Sequence, residues 1–377
     1  MLHKLKQIAS RNLVNMPGWR TDRKIVVFES DDWGMIRMAS KEAYNWFLKK
    51  GYEVDQCPYN RNDALESNED LELLFDVLAS VKDKHGDPAI FTANCIVANP
   101  NFTKIEEAAF QTYHYESIIE TLNRYPNRDR VADLYRQGMA ERVFRPQFHG
   151  REHLNVNRWM QRLNVRNKIL RDAFSQGMYT VHKTGAMNSR RDNLDAFGLG
   201  YKREWVGVNE IIESGIHLFE KIWGFRPLSF IAPCYTWTTE VEKKLAEKGI
   251  RYIQGTHVQR VPLADYNRGI KRKYHYLGQP NENNQRYIVR NAHFEPTESS
   301  LSDQVGYTLQ QIRRAFRYKK PAVISSHRVN YIGSIHPENR DKNLMQLRIL
   351  LKKIIAEFPE VEFMSSDQLG QLILNEK

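Results

Sequence analysis

Two short clusters in this sequence carry the side-chain types that metal-assisted hydrolysis uses. In His149-Gly-Arg-Glu-His153, two imidazoles stand at i and i+4, a spacing that lets both converge on one ion. In Ser30-Asp31-Asp32-Trp33-Gly34, two carboxylates are adjacent. Such a pair in a low-dielectric cleft is costly unless a cation is present. At a strand end, successive side chains point in different directions, so one carboxylate can bind an ion while the other faces a water molecule. Each cluster also has a plain structural reading, as two surface histidines without a metal and as an Asp-Asp turn capping a helix. Taken literally, the histidine cluster also matches H-x-x-E-H, in which Glu152 would be the base on a continuous helix. Pro146 and the run 143–148 argue for a strand instead, and Gly150 weakens a helix at its centre. His149 is therefore expected at a strand end and His153 near a helix start.

The elements that must hold these clusters follow from hydrophobic periodicity. Residues 24–28 are a β-branched apolar run ending at Glu29, Ser30, Asp31 and Asp32, which reads as a buried strand delivering carboxylates at its C-terminal end. Ser67 and Asp70 form a capping box before the helical pattern Leu71, Leu74, Phe75 and Leu78. A strand at 89–92 follows. The alternation continues with strands at 143–148, 227–231, 251–253, 287–289, 322–325 and 361–364. Between and after them come helices capped by Thr238, then over 302–318 and 343–357, and a closing helix. Repeated β-then-α units imply an α/β fold with a parallel sheet, open or closed into a barrel. Residues 155–203, basic and helical, and 265–284, polar and turn-rich, break the rhythm and read as insertions over one face.

The chain of 377 residues is long enough for one elaborated domain. No window reaches the roughly 18 apolar residues of a spanning helix, and residues 1–20 lack the pattern of a secretory signal, so a cytoplasmic location is expected. Cys57, Cys95 and Cys234 are odd in number and unpaired in spacing, which suggests neither disulfides nor a thiolate metal cage. The net charge of +11 concentrates polyanions without choosing among an anionic substrate, a membrane surface and nucleic acid. The basic residues are dispersed, at Arg158, Arg162, Arg166, Lys271, Arg313 and elsewhere, with no nucleic-acid module, so no nucleic-acid partner is expected. The opening segment, 1–23, is basic and amphipathic; it can pack on the domain or make a peripheral contact with an anionic membrane surface.

An Asp-Asp pair after the first strand, followed by His-x3-His after a later one, resembles the polysaccharide deacetylase family, also called the NodB-homology or carbohydrate esterase family 4 fold. The resemblance implies an irregular (β/α)7 barrel over residues 24–377 with insertions at about 155–203 and 265–284. It also implies that Asp31 is the catalytic base and that Asp32, His149 and His153 hold a divalent metal, zinc above others. Phe230-Ile231-Ala232-Pro233-Cys234-Tyr235 matches a third family motif, with Ile231 where the family usually has the Arg that orients the base. Arg151 or Arg226 is the expected replacement for that charge. The turn should aim a backbone N–H, from Cys234, at the developing oxyanion. Val323-Ile324-Ser325-Ser326-His327 matches the late-strand motif whose His, here His327, is the general acid. The family's Asp and Trp that orient this acid have no counterpart.

The resemblance implies removal of an acetyl group from an N-acetylated sugar, lipid-linked or nucleotide-linked substrates being among those compatible with a cytoplasmic enzyme. Trp33, Tyr235, Trp237 and Tyr331 are candidates to contact saccharide. His293 and His257 are candidates to line the pocket. Two other readings stay open: a glycosidase using Asp31 and a distant carboxylate such as Glu295 without metal, and a degenerate barrel that binds glycan without hydrolysing it.

Overall fold

A computed structural model describes residues 14–181, 193–198, 207–263, 269–298 and 301–376. The first 13 residues of the amphipathic N-terminal segment, and parts of both insertions, lie outside them. The main sheet has nine strands: β1 Lys24–Trp33, β2 Phe91–Cys95, β3 Phe144–Phe148, β4 Ser229–Ile231, β5 Tyr252–Gly255, β6 Arg286–Val289, β7 Ala292–His293, β8 Ala322–His327 and β9 Val361–Phe363. They pair in the order β6-β5-β4-β3-β2-β1-β8-β7, and β9 pairs the first residues of β1. Every pairing in this sheet is parallel. The expected α/β class and strand sequence are thus present. Ile25, Val26, Val27 and Phe28 are fully buried, as a parallel strand covered on both faces requires.

Among the described residues no backbone pairing joins β6 to β7, so the ladder of the expected barrel does not close. The break is bridged covalently by Arg290 and Asn291. The N–H of Arg290 bonds to the Gly255 carbonyl on β5 at 2.9 Å, and that of Asn291 bonds to Val323 on β8 at 3.0 Å. Arg290 therefore stands in the seam, its side chain free to turn inward.

Local signals decide most helix starts. The Ser67–Asp70 capping box is formed and opens the helix Asn68–Ala79, and Thr238 caps Thr239–Glu247. The helix expected over 343–357 begins earlier, at Pro337, which suits a first helical position because its missing N–H would be unpaired there anyway. The first insertion contains helices Val156–Asn164 and Lys168–Ser175, each capped by an Asn side chain. The second differs from expectation. Ile270–Tyr274 pairs antiparallel with Val258–Pro262, a hairpin hidden in the sequence by the run Lys271-Arg272-Lys273. No described helix is long and apolar enough to cross a membrane. None of the three cysteines forms a disulfide, and Cys57 and Cys95 are buried.

Candidate active site

The adjacent carboxylates share one cavity because β1 is irregular where they sit. Neighbouring residues of a regular strand face opposite sides. Here the β1–β2 register shifts between Ser30 and Trp33, and Asp32 takes a left-handed conformation (φ 76°) that few residues other than Gly and short polar ones adopt. Asp31 and Asp32 both line a cavity of about 270 Å³, together with His149, His153, Ala232, Cys234, Tyr235 and His327 among others. His327 is delivered by register, since its Cα is the β8 partner of Asp31.

Three ligand atoms, from Asp32, His149 and His153, lie within 4.8 Å of one another, and all three residues are buried. Asp32 Oδ1 is 3.3 Å from His149 Nε2 and 3.4 Å from His153 Nε2. Ligands bound at about 2.1 Å with tetrahedral angles stand roughly 3.4 Å apart, so the spacing fits one ion. His149 Nδ1 is 2.9 Å from the carbonyl oxygen of Ile231, which can only accept, so the ring proton sits on Nδ1. Nε2 is thereby the ring atom turned toward Asp32, the position from which a neutral imidazole would ligate an ion. Burial would raise the Asp32 carboxyl, but the His149 contact and the charges of His153 and His327 hold it well below its ordinary value. Burial pushes His153 down to about 4, toward the neutral form that ligates metal.

Asp31 is held differently. Arg290 donates from Nη1 to Oδ2 at 2.8 Å and from Nη2 to Oδ1 at 2.6 Å, and from Nε to Glu29 at 2.6 Å. Asn94 on β2 adds a 2.7 Å bond to Oδ1. The fork is fully buried. Burial by itself would raise the Asp31 carboxyl, yet the Arg290 charge and hydrogen bonds, helped by His327, keep it below the usual carboxylate range. The cation that holds Asp31 is therefore Arg290, where Arg151 or Arg226 was expected. Arg151 is turned to Glu152 at 2.7 Å and stacks over Tyr115, and Arg226 is paired with exposed-side Glu220. Neither lines the cavity. The signal for Arg290 is its place right after β6, one of many strand-end basic residues until the seam is known.

His327 Nδ1 lies 2.7 Å from Glu295, and Nε2 is 3.6 Å from Asp31 Oδ2. Burial opposes the imidazolium, but Glu295 and Asp31 outweigh it and raise His327 well above its ordinary value. Glu295 spends its second oxygen on Asn330 at 2.8 Å. It thus fixes the His327 ring from behind, and it does not itself line the cavity, as the glycosidase reading would need.

The turn Pro233–Tyr235 lines the cavity, with Cys234 at φ 55°, ψ 18°, and the Tyr235 hydroxyl accepts from Arg290 at 3.0 Å. Other expected contacts fail. Trp33 is fully buried, edge-on to Phe144, with its indole N–H on Ser30. Trp237 donates to Glu242 at 2.7 Å, and Tyr331 is buried against Ser326. These three serve the core, because their strands and turns run on past the motif residues into packed layers. His293 is exposed on β7, and neither it nor His257 lines the cavity. Glu152 is buried on Arg151 and Tyr113, so the literal H-x-x-E-H reading has no base at the ion. Arg37, Tyr59, Arg260 and Glu298, which line the cavity, carry no motif that would single them out in the sequence.

No sequence-family model matches the chain, and no curated protein matches it. Solved structures do. A protein from Parabacteroides distasonis described as a glycoside hydrolase/deacetylase superposes with TM-score 0.51 at 10% identity, over 96% of this chain and 74% of that one. A polysaccharide deacetylase structure from Pseudomonas aeruginosa gives TM-score 0.47 at 10% identity, over 94% and 92% of the two chains. One from Mycobacterium smegmatis gives 0.45 at 11%, over 96% and 94%. At such identities the likeness speaks for the fold and leaves the reaction to the site itself.

Proposed function

We propose that this protein is a metal-dependent amide hydrolase that removes the acetyl group from an N-acetylated sugar. The observation that carries this reading is the division of labour between adjacent carboxylates: Asp32 faces two imidazoles at ion-binding distances, and Asp31 is tied to Arg290 and faces His327. Asp32, His149 and His153 would hold the ion. When bound, a divalent ion such as zinc supplies Lewis acidity, lowering the pKa of water and polarising a carbonyl.

The chain's own residues do the rest. Asp31, kept ionised and oriented by Arg290, accepts the proton of the attacking water. His327, kept protonated by Glu295, delivers a proton to the departing nitrogen. The backbone at Cys234 faces the oxygen that becomes negative, where an N–H donor is worth about 10²–10³ in rate. Three protein ligands leave room for water and the acyl oxygen, and the cavity of about 270 Å³ admits little more than one sugar residue beside them.

The test is acetate release from a panel of N-acetylated saccharides by zinc-loaded protein. Release that a chelator stops and zinc restores supports the reading. Cleavage of a glycosidic bond that ignores the chelator would replace it with the glycosidase alternative.

A further inference from the structure

Among the described residues Arg37 is a cavity cation with no paired acid. It follows the β1 turn, is 6% exposed, and lines the same cavity as Asp32, His149 and His153. Its guanidinium lies over the face of Tyr59 at 5.2 Å, and among the described residues it makes no hydrogen bond or ion pair and its Nε is buried without a partner. Burying an unsatisfied charged donor costs several kcal/mol, and a folded chain retains such a group where something else uses it. Asp63, whose Oδ1 is held by Arg328 at 3.0 Å and whose Oδ2 has no hydrogen-bond partner among the described residues, acts on Arg37 through space. Of the acids lining the cavity, Asp31 is committed to Arg290 and Asp32 faces the histidines. Glu298 is the remaining one, set beyond Tyr59, whose hydroxyl it meets.

We infer that Arg37 binds an anionic group of the substrate, a carboxylate or a phosphate carried close to the acylated nitrogen. The inference rests on the hydrolase reading for where the acyl group lies, but the anion site itself does not need turnover. The planar five-donor fork suits two-point recognition of either oxyanion, and the net charge of +11 draws such ligands to the protein.

Binding is measured by calorimetry in zinc-loaded Asp31→Asn protein, where Arg290 still has Glu29 as its counter-charge. The probes are N-acetylglucosamine, N-acetylmuramic acid and N-acetylglucosamine 1-phosphate. At least one anionic probe should bind about tenfold to a hundredfold tighter than the neutral one, the range expected of hydrogen bonds to a charged group. Which of the two does so tells carboxylate from phosphate. Adding Arg37→Met, or Arg37→Gln as a second variant, should bring that ratio near one and leave the melting temperature of the free protein equal or higher, because an unpaired buried charge has been removed. Equal binding of all probes, binding of none, a preference that survives loss of Arg37, or a melting temperature lowered by both variants would each overturn the inference. Acetate release in the parent protein is scored separately, so failure of the hydrolase reading and failure of the anion site are told apart.

Discussion

The two sides of the cavity are built from the same residue type under opposite rules. On the side proposed for proton transfer, Asp31 has three hydrogen-bond donors from Arg290 and Asn94, and His327 has Glu295, which in turn has Asn330. Both oxygens of Asp31 and both of Glu295 accept hydrogen bonds, which fixes geometry and charge before substrate arrives. On the side proposed for the ion, Asp32 meets two imidazoles, at 3.3 Å and 3.4 Å, and among the described residues His153 Nδ1 is buried without a hydrogen-bond partner. Valence is left open there. The contrast separates groups fixed by their neighbours from a buried Asp-His-His cluster whose spacing could hold a metal ion.

The contrast can be broken most severely from the ion side. Asp32→Ala or His149→Ala should abolish metal retention and reduce turnover by more than about 10³-fold, while the fold persists, as circular dichroism would show. Retained activity in a metal-free variant would mean that the open valence has another use. Asp31→Asn should lower kcat by about 10²–10⁴-fold with metal content unchanged, because only the base is lost; steady-state kinetics paired with elemental analysis checks it.

Arg290→Met tests the saturated side through stability. It leaves Glu29 and Asp31 buried without their shared cation, so denaturant unfolding should show a loss of about 3–5 kcal/mol. A loss under about 1 kcal/mol would show that the fork is not what holds the pair.

The finest test concerns pH. In the proposed role of acid His327 must be protonated, and against the effect of burial Glu295 helps to hold its pKa well above the usual value. Activity should therefore persist through neutral pH and fall as pH rises through that elevated value. Removing Glu295 as Glu295→Gln should move this basic limb down, toward the ordinary imidazole range near about 6.5, with a smaller drop at low pH. An unmoved limb would assign it to another group.

How much of this was legible in the sequence follows the same division. Asp31, Asp32, His149, His153 and His327 sit at the ends of short apolar runs, so residue type, local strand context and order suffice to propose them. Arg290, Glu295, Asn94 and Arg37 are legible only through register and closure. Arg290 matters because the ladder breaks where it sits, and Glu295 because β7 lies beside β8. Neither fact has a local signature. Trp33 misleads for the converse reason: it adjoins the motif in sequence, but the strand continues through the bulge and pairs it with Cys95 in the core. The helical and strand units were read well where caps and apolar runs mark them. The hairpin Val258–Pro262 with Ile270–Tyr274 was missed because its exposed strand is mostly basic.

The most direct test of the central claim is elemental analysis of the purified protein beside its His149→Ala variant. About one zinc or comparable divalent ion per wild-type chain, absent from the variant, is the result expected of a three-ligand site. A wild-type protein that holds no divalent ion and cannot be loaded with one would contradict the account, since Asp32 and its two histidines would then be buried together for some other purpose.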